Sequence, residues 1–244
     1  MIAGGSFPPD AAEVAGLRTR HQEIIARIRA AATRAGRDPA AVSLVAVSKT
    51  VPAERLVAAV AAGLALFGEN RVQEGEAKRP LVAGAGWHLI GPLQANKARR
   101  AIQAYDLIES VDSVDIAGRL DRLVVEERGP DAQLPVLLQV NVDRDPGKAG
   151  FDPLELGALL PNLLGLAGLR VDGLMTVGRF VEDPEAARPT FRRLGELAAG
   201  LRALDGRLGP HLSMGMSLDF EVAIEEGATI VRVGRALFGE RAAP

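Results

Sequence analysis

Val42-Ser43-Leu44-Val45-Ala46-Val47-Ser48-Lys49-Thr50 is the stretch from which the fold is read. Between Pro39 and Pro52 its first charged group is the amine of Lys49. A short run rich in Val, Leu and Ala, with no polar alternation, predicts a strand covered on both faces, as a parallel sheet requires. Lys49 then sits at the carboxyl end. In a parallel α/β barrel that end faces the functional rim, so the amine is placed for chemistry with its stem among apolar neighbours. Desolvation lowers an amine's pKa and frees its lone pair to attack a carbonyl. The competing reading is a solvated lysine that merely closes a strand, and the other loops decide between them.

Outward from this run the same unit recurs. Pro52 opens a helix ending near Gly63, and 64–70 is a second buried run. Helix 71–83 leads to strand 87–91, helix 94–104 to strand 107–111, and helix 113–128 to strand 136–142. Helix 153–160 leads to strand 171–176, helix 184–204 to strand 211–214, and helix 218–226 to strand 230–234. Ahead of them, Asp10 and Glu13 form a capping pair for a leading helix with Val14, Leu17, Ile24, Ile25 and Ile28 on one face. His21 falls at the edge of that stripe, and Gly36 supplies the stop.

Eight strands alternating with helices imply right-handed crossovers and an all-parallel sheet, which closes most naturally into a barrel. The expected fold is therefore α/β, a single (β/α)8 TIM barrel with an extra N-terminal helix. An open doubly wound sheet is the alternative, but no Gly-x-Gly-x-x-Gly follows the first strand. The polar segment 143–150 is short enough to be the loop after strand five. Residues 1–244 thus read as one domain, with 1–9 as a flexible lead.

Composition narrows the function. The 244 residues carry a net charge of −2, 48% apolar and 4% aromatic residues, which gives no electrostatic case for nucleic acid or an anionic membrane. There is no cysteine, which excludes thiolate chemistry and disulfides. Three scattered histidines without a ligand spacing point to no metal. Neither a basic and apolar leader nor an apolar run of about 18 residues is present, so a cytoplasmic protein is expected.

In a barrel, the strand ends present Lys49, Asn70, His88, Ser110 with Asp112, Asn141, Met175 with Thr176, Ser213 to Ser217, and Arg232 to Arg235. The strongest grouping is Ser213-Met214-Gly215-Met216-Ser217. Gly215 permits close backbone approach, the serines offer hydroxyls, and the start of helix 218–226 offers free N–H groups, a combination suited to an anion. Gly234-Arg235 supplies a second half, and the loops after strands seven and eight are where this fold binds phosphate. Arg232, between Val231 and Val233, is a buried guanidinium needing an acceptor. A structural carboxylate such as Glu69, or a ligand ring nitrogen, would serve. His88 and Asn70, each taken alone, read as core polar groups. A rim amine, an anion cradle and a buried arginine share one explanation, a phosphorylated aldehyde held as a Schiff base, which pyridoxal 5′-phosphate (PLP) matches.

Six blocks, Ala46-Val47-Ser48-Lys49-Thr50, Phe67-Gly68-Glu69-Asn70, 87–97, Gly173-Leu174-Met175-Thr176, 212–217 and 231–239, resemble in order those of the pyridoxal phosphate homeostasis proteins, the YggS-like or PROSC-like family. The resemblance implies an alanine-racemase-type barrel without its second domain, with PLP on Lys49. It implies phosphate contacts from Ser213, Gly215, Met216, Ser217, Gly234 and Arg235, Arg232 against the pyridine nitrogen, and Asn70, His88 and Met175 around the ring. Leu218 and Arg235 depart from the acidic residue and the threonine frequent in that family.

The implied role is reversible PLP holding in vitamin B6 homeostasis by a monomer, with PLP-dependent apo-enzymes as recipients. The rival is a PLP-dependent racemase, which needs a second acid/base. That base is a tyrosine from a further β-domain in the related fold, whereas here the sequence runs to Pro244 and its single tyrosine is Tyr105, in a helix-to-strand connection. A non-enzyme is therefore expected. A barrel binding some sugar phosphate is a third reading, and it leaves Lys49 unexplained.

Overall fold

The computed structural model describes residues 9–179 and 181–239, so the expected flexible lead lies, but for Pro9, outside the described residues. Eight parallel strands close into a barrel in chain order: β1 Ser43–Val47, β2 Leu66–Glu69, β3 Gly86–Leu89, β4 Leu107–Val111, β5 Leu134–Gln139, β6 Leu169–Met175, β7 His211–Ser213 and β8 Ile230–Val233. β8 returns to β1 with Leu44 beside Val231 and Val45 beside Arg232, and this pairing rules out the open sheet.

The helices are α1 Ala11–Arg34, α2 Ala53–Ala61, α3 Val72–Lys78, α4 Ala98–Ala104, α5 Val114–Arg128, α6 Leu156–Leu164, α7 Arg188–Leu204, α8 Phe220–Glu225 and α9 Arg235–Phe238. Several expected helices are shorter because part of the span is a 3₁₀ turn, as at Arg79–Leu81, Ala95–Lys97 and Pro184–Ala187. Prolines explain two of these breaks, since Pro80 and Pro189 have no N–H with which to continue the i→i−4 ladder from the preceding turn. Among the described residues no helix is long and apolar enough to cross a membrane.

The leading helix starts as expected at Asp10, whose carboxylate accepts from Ala12 N at 3.0 Å. Glu13 does not complete a capping box. Its carboxylate accepts instead from Arg55 at 2.6 Å, tying α1 to α2. Farther along, Arg27 and Arg34 pair with Glu221 and Glu225 of α8, Arg20 donates to Leu237 O of α9, and Arg37 to Ile224 O. The extra helix thus braces the two short helices that follow strands seven and eight.

Alternation along the strands decides what faces the barrel interior. Val45, Leu107, Leu137, Met175 and Ile230 come from five strands and touch one another as a cluster apart from the main core. Residues so far apart around the ring meet only inside it, so they form an apolar interior plug. Two residues further on, the same parity delivers Val47, Glu109 and Arg232, and two further Lys49 and Gly234. The other parity, with Ser48 and Glu69, faces the helices.

Candidate functional site

Above the plug lies a buried polar layer. Glu109, fully inaccessible, accepts from His88 Nδ1 at 2.6 Å through Oε1 and from Ser213 Oγ at 2.5 Å through Oε2. Arg232 donates to Ser213 Oγ at 2.5 Å and to Thr176 O at 2.8 Å, with its guanidinium 3.8 Å from Glu109. Facing a carboxylate assigns the His88 proton to Nδ1. Burial alone would push the Glu109 carboxyl up, but His88, then Arg232 and Ser213, outweigh it and hold the group below the usual carboxylate range. Burial lowers Arg232 from the usual guanidinium value, against the pull of Glu109 and Asp219.

Of the two kinds of acceptor open to Arg232, a structural carboxylate or a ligand ring nitrogen, the carboxylate is present, but it is Glu109 and not Glu69. Glu69 has the wrong strand parity and lies on the helix side, where it accepts from Lys78 Nζ at 2.7 Å and Ser48 Oγ at 2.7 Å. Glu109 was missed in the sequence. Its signal was available as two-residue spacing from Leu107, a position that faces inward.

Over this layer opens a cavity of about 630 Å3 lined by Val47, Lys49, Asn70, Ile90, Val177, Arg179, Val181, Met216, Ser217, Leu218, Asp219, Arg232, Gly234 and Arg235. Lys49 is half-buried there, two residues past the last β1 residue, and Ser48 N continues the ladder by donating to Gly68 O at 3.0 Å. Asn70 follows β2 and rests against Gly91, where any Cβ would overlap the Asn70 backbone. That close approach requires glycine.

The 213–217 loop turns at Gly215, at φ 90° with no room for a Cβ beside Phe220 and Ala223. Helix α8 begins at Phe220 rather than 218, because Asp219 turns its carboxylate back to accept from Met216 N at 2.6 Å. The donors near Ser217 are therefore loop N–H groups rather than a helix end. Those of Ser217, Leu218 and Arg235 have no acceptor among the described residues, and all three residues line the cavity. Ser217 Oγ accepts from Gly234 N at 3.3 Å and joins the two halves of the loop pair.

The expected site residues thus fall into two tiers. Lys49, Asn70, Met216, Ser217, Arg232, Gly234 and Arg235 line one cavity. His88, Ser213, Gly215 and Met175 lie beneath or behind it, His88 and Ser213 in the polar layer and Met175 in the apolar plug, fully inaccessible. Leu218 and Arg235 are exposed at the mouth. Tyr105 is buried elsewhere, its hydroxyl donating to Arg71 O at 2.9 Å and accepting from Gly75 N at 3.2 Å. Among the described residues no group of three or more His, Cys, Asp or Glu could hold a metal ion.

A phosphorylated aldehyde fits this set on structural grounds. Orphaned N–H donors and the Arg235 guanidinium at one end meet an anion's needs, and the lysine amine lies in the same cavity.

Comparison with known proteins agrees. Residues 20–242 match the model of the alanine racemase N-terminal domain family. The pyridoxal phosphate homeostasis protein of Pseudomonas aeruginosa is 46% identical, over 90% of this chain and 93% of its own length. The structure of PipY from Synechococcus elongatus with PLP bound superposes with a TM-score of 0.80 at 39% identity, covering 91% of this chain and 100% of that one. Alanine racemase of Clostridium difficile shares the fold at a TM-score of 0.70 and 16% identity, over 94% of this chain and 57% of its own. The inward-facing lysine, the paired loops and these likenesses over nearly the whole length lead to one conclusion: the chain belongs to the alanine racemase N-terminal domain family, among its pyridoxal phosphate homeostasis proteins.

Proposed function

We propose that this chain binds PLP and holds it reversibly as a Schiff base on Lys49, as a cytoplasmic carrier in vitamin B6 homeostasis built as one barrel domain. The observation that carries the reading is the sharing of one cavity by the Lys49 amine and the backbone donors of Ser217, Leu218 and Arg235, which have no acceptor among the described residues. Bound here, PLP would supply an aldehyde carbon that the Lys49 amine could condense with, releasing the aldehyde oxygen as water with no change of oxidation state. Ser217, Gly234 and Arg235 bind the phosphate, Asn70 and Met216 flank the ring, and Arg232 faces its nitrogen. His88, Ser213, Met175 and Gly215 set the floor and the turn on which these groups stand.

A cation facing the ring nitrogen disfavours its protonation, which suits holding the cofactor better than carbanion chemistry. Tyr105, spent on two backbone partners, offers no second base. We read the protein as a non-enzyme that acts as a monomer and passes its cofactor to PLP-dependent apo-enzymes.

The test is spectroscopic. Purified chain mixed with PLP should develop a band at the visible edge that Lys49→Ala abolishes. A wild-type protein that stays colourless would defeat the assignment, and exchange of an amino acid's α-proton in deuterated water would overturn the carrier reading.

A further inference from the structure

Behind Lys49, on the helix side of β1 and β2, lies a buried charged cluster that the cavity does not use. α3 carries Glu74 and Lys78 four residues apart, hence on one face. The three donors of Lys78 Nζ are directed to Ser48 O at 2.9 Å, Glu69 Oε1 at 2.7 Å and Glu74 Oε2 at 3.4 Å. Ser48 Oγ donates to the same Glu69 oxygen. Glu74 Oε2 also accepts from Thr50 N at 3.1 Å.

The two residues touched are the neighbours of Lys49 on either side. Ser48 is held by Lys78 directly, and Thr50 by Lys78 through Glu74. Thr50 sits at φ 67°, a left-handed conformation that β-branched residues rarely adopt. Such a conformation persists only where its surroundings impose it, and outliers of this kind cluster at functional sites. Stability alone does not account for the cluster, because a buried ion pair is commonly replaced by packed apolar residues at no loss.

We propose that Lys78 is a positioning residue, which with Glu69 and Glu74 brackets the backbone on both sides of Lys49 and so sets the direction in which the Lys49 amine meets a carbonyl ligand. Cutting the bracket lets Thr50 relax to negative φ, turning the Lys49 Cα–Cβ bond away. Among the described residues Lys78 has no hydrogen bond or ion pair to the anion loops after β7 and β8, which keep their geometry. The inference rests on Lys49 as the aldehyde-capturing group.

The experiment compares two ligands on the whole chain. PLP has the aldehyde, whereas pyridoxine 5′-phosphate has the same ring and phosphate with an alcohol in its place. In Lys78→Met, formation of the visible band should slow and PLP affinity fall by about tenfold or more, since misplacing a reacting group by about 1 Å can cost about a hundredfold. Visible circular dichroism of the remaining band should shrink or change sign. Pyridoxine 5′-phosphate should bind within about twofold of wild type. Both ligands weakening together, or neither, would overturn the bracket. Glu74→Ala frees Thr50 at a half-buried position while leaving Lys78 on Ser48 and Glu69, and it should show the same selective loss in smaller measure. It decides the matter if Lys78→Met fails to fold. A colourless wild type sinks the Lys49 reading itself, whereas a coloured wild type matched by both variants sinks only the bracket.

Discussion

Replacing Glu109 by Gln tests the polar layer under the cavity. The Glu109 carboxylate stands 3.8 Å from the Arg232 guanidinium, and both side chains are almost wholly inaccessible. At this separation the attraction is about 4 kcal/mol for an effective dielectric near 20. Losing one partner of a buried pair typically costs about 3–5 kcal/mol, because the other charge is left without compensation. Gln keeps the shape and one acceptor, but its amide nitrogen donates where His88 or Ser213 already donates, so one hydrogen bond is lost as well.

The expected loss is about 3 kcal/mol, or a melting temperature lower by roughly 6–12 °C for a chain of this size. Urea denaturation followed by the fluorescence of Trp87, the sole tryptophan and fully buried, measures it. The double variant Glu109→Gln/Arg232→Met should be more stable than the sum of the single losses by about 1–2 kcal/mol. The Glu109 folded-state pKa is depressed, so its contribution is present above the ordinary carboxylate range and is lost as pH falls through the folded value. The gap between wild type and variant should therefore close in acid. A loss under about 1 kcal/mol with an additive double variant would refute the assignment of Glu109 as the counter-ion of Arg232.

Glu69 should show the opposite pH dependence. Burial pushes its carboxyl up to about 7 against Lys78 and Ser48, so the folded chain holds a proton that the unfolded chain has lost, and stability falls as pH rises from about 4.5 to about 7. The fall amounts to about 3 kcal/mol, and stability curves of Glu69→Gln should be flatter across that window, with Lys78, Glu74 and Tyr105 as the charged or titratable neighbours. Gly91→Ala drives a methyl into the Asn70 backbone and should weaken PLP binding by about tenfold at a stability loss of about 1–3 kcal/mol, read by titration and melting. Arg235→Thr keeps the backbone donor but removes an exposed guanidinium, so PLP affinity should drop by about three- to tenfold at low salt and become less salt-sensitive. Unchanged affinity would place the phosphate on backbone donors alone.

Much of this molecule was legible in its sequence because the information is local and periodic. Runs such as 42–50 and 107–111 declare buried strands, the regular alternation with helices leaves a closed parallel barrel as the simplest outcome, and period two along β1 carries Lys49 inward from Val45 and Val47. The glycines of 213–217 and 234 mark the loop pair through backbone freedom alone. Partnership across the barrel was not legible. Glu69 and Glu109 are both acidic residues in apolar strands; parity turns Glu69 outward to Lys78 and Glu109 inward, but that the inward carboxylate meets Arg232 is decided only when β8 closes the ring. Met175 likewise reads as a rim residue until the interior plug takes it in. The left-handed turn at Thr50, held by a helix that follows it in the chain, has no signature in the residues around it. A strand's burial and facing follow from its own side chains, but which charge meets which depends on contacts between segments remote in sequence, and these exist only once the ring has closed.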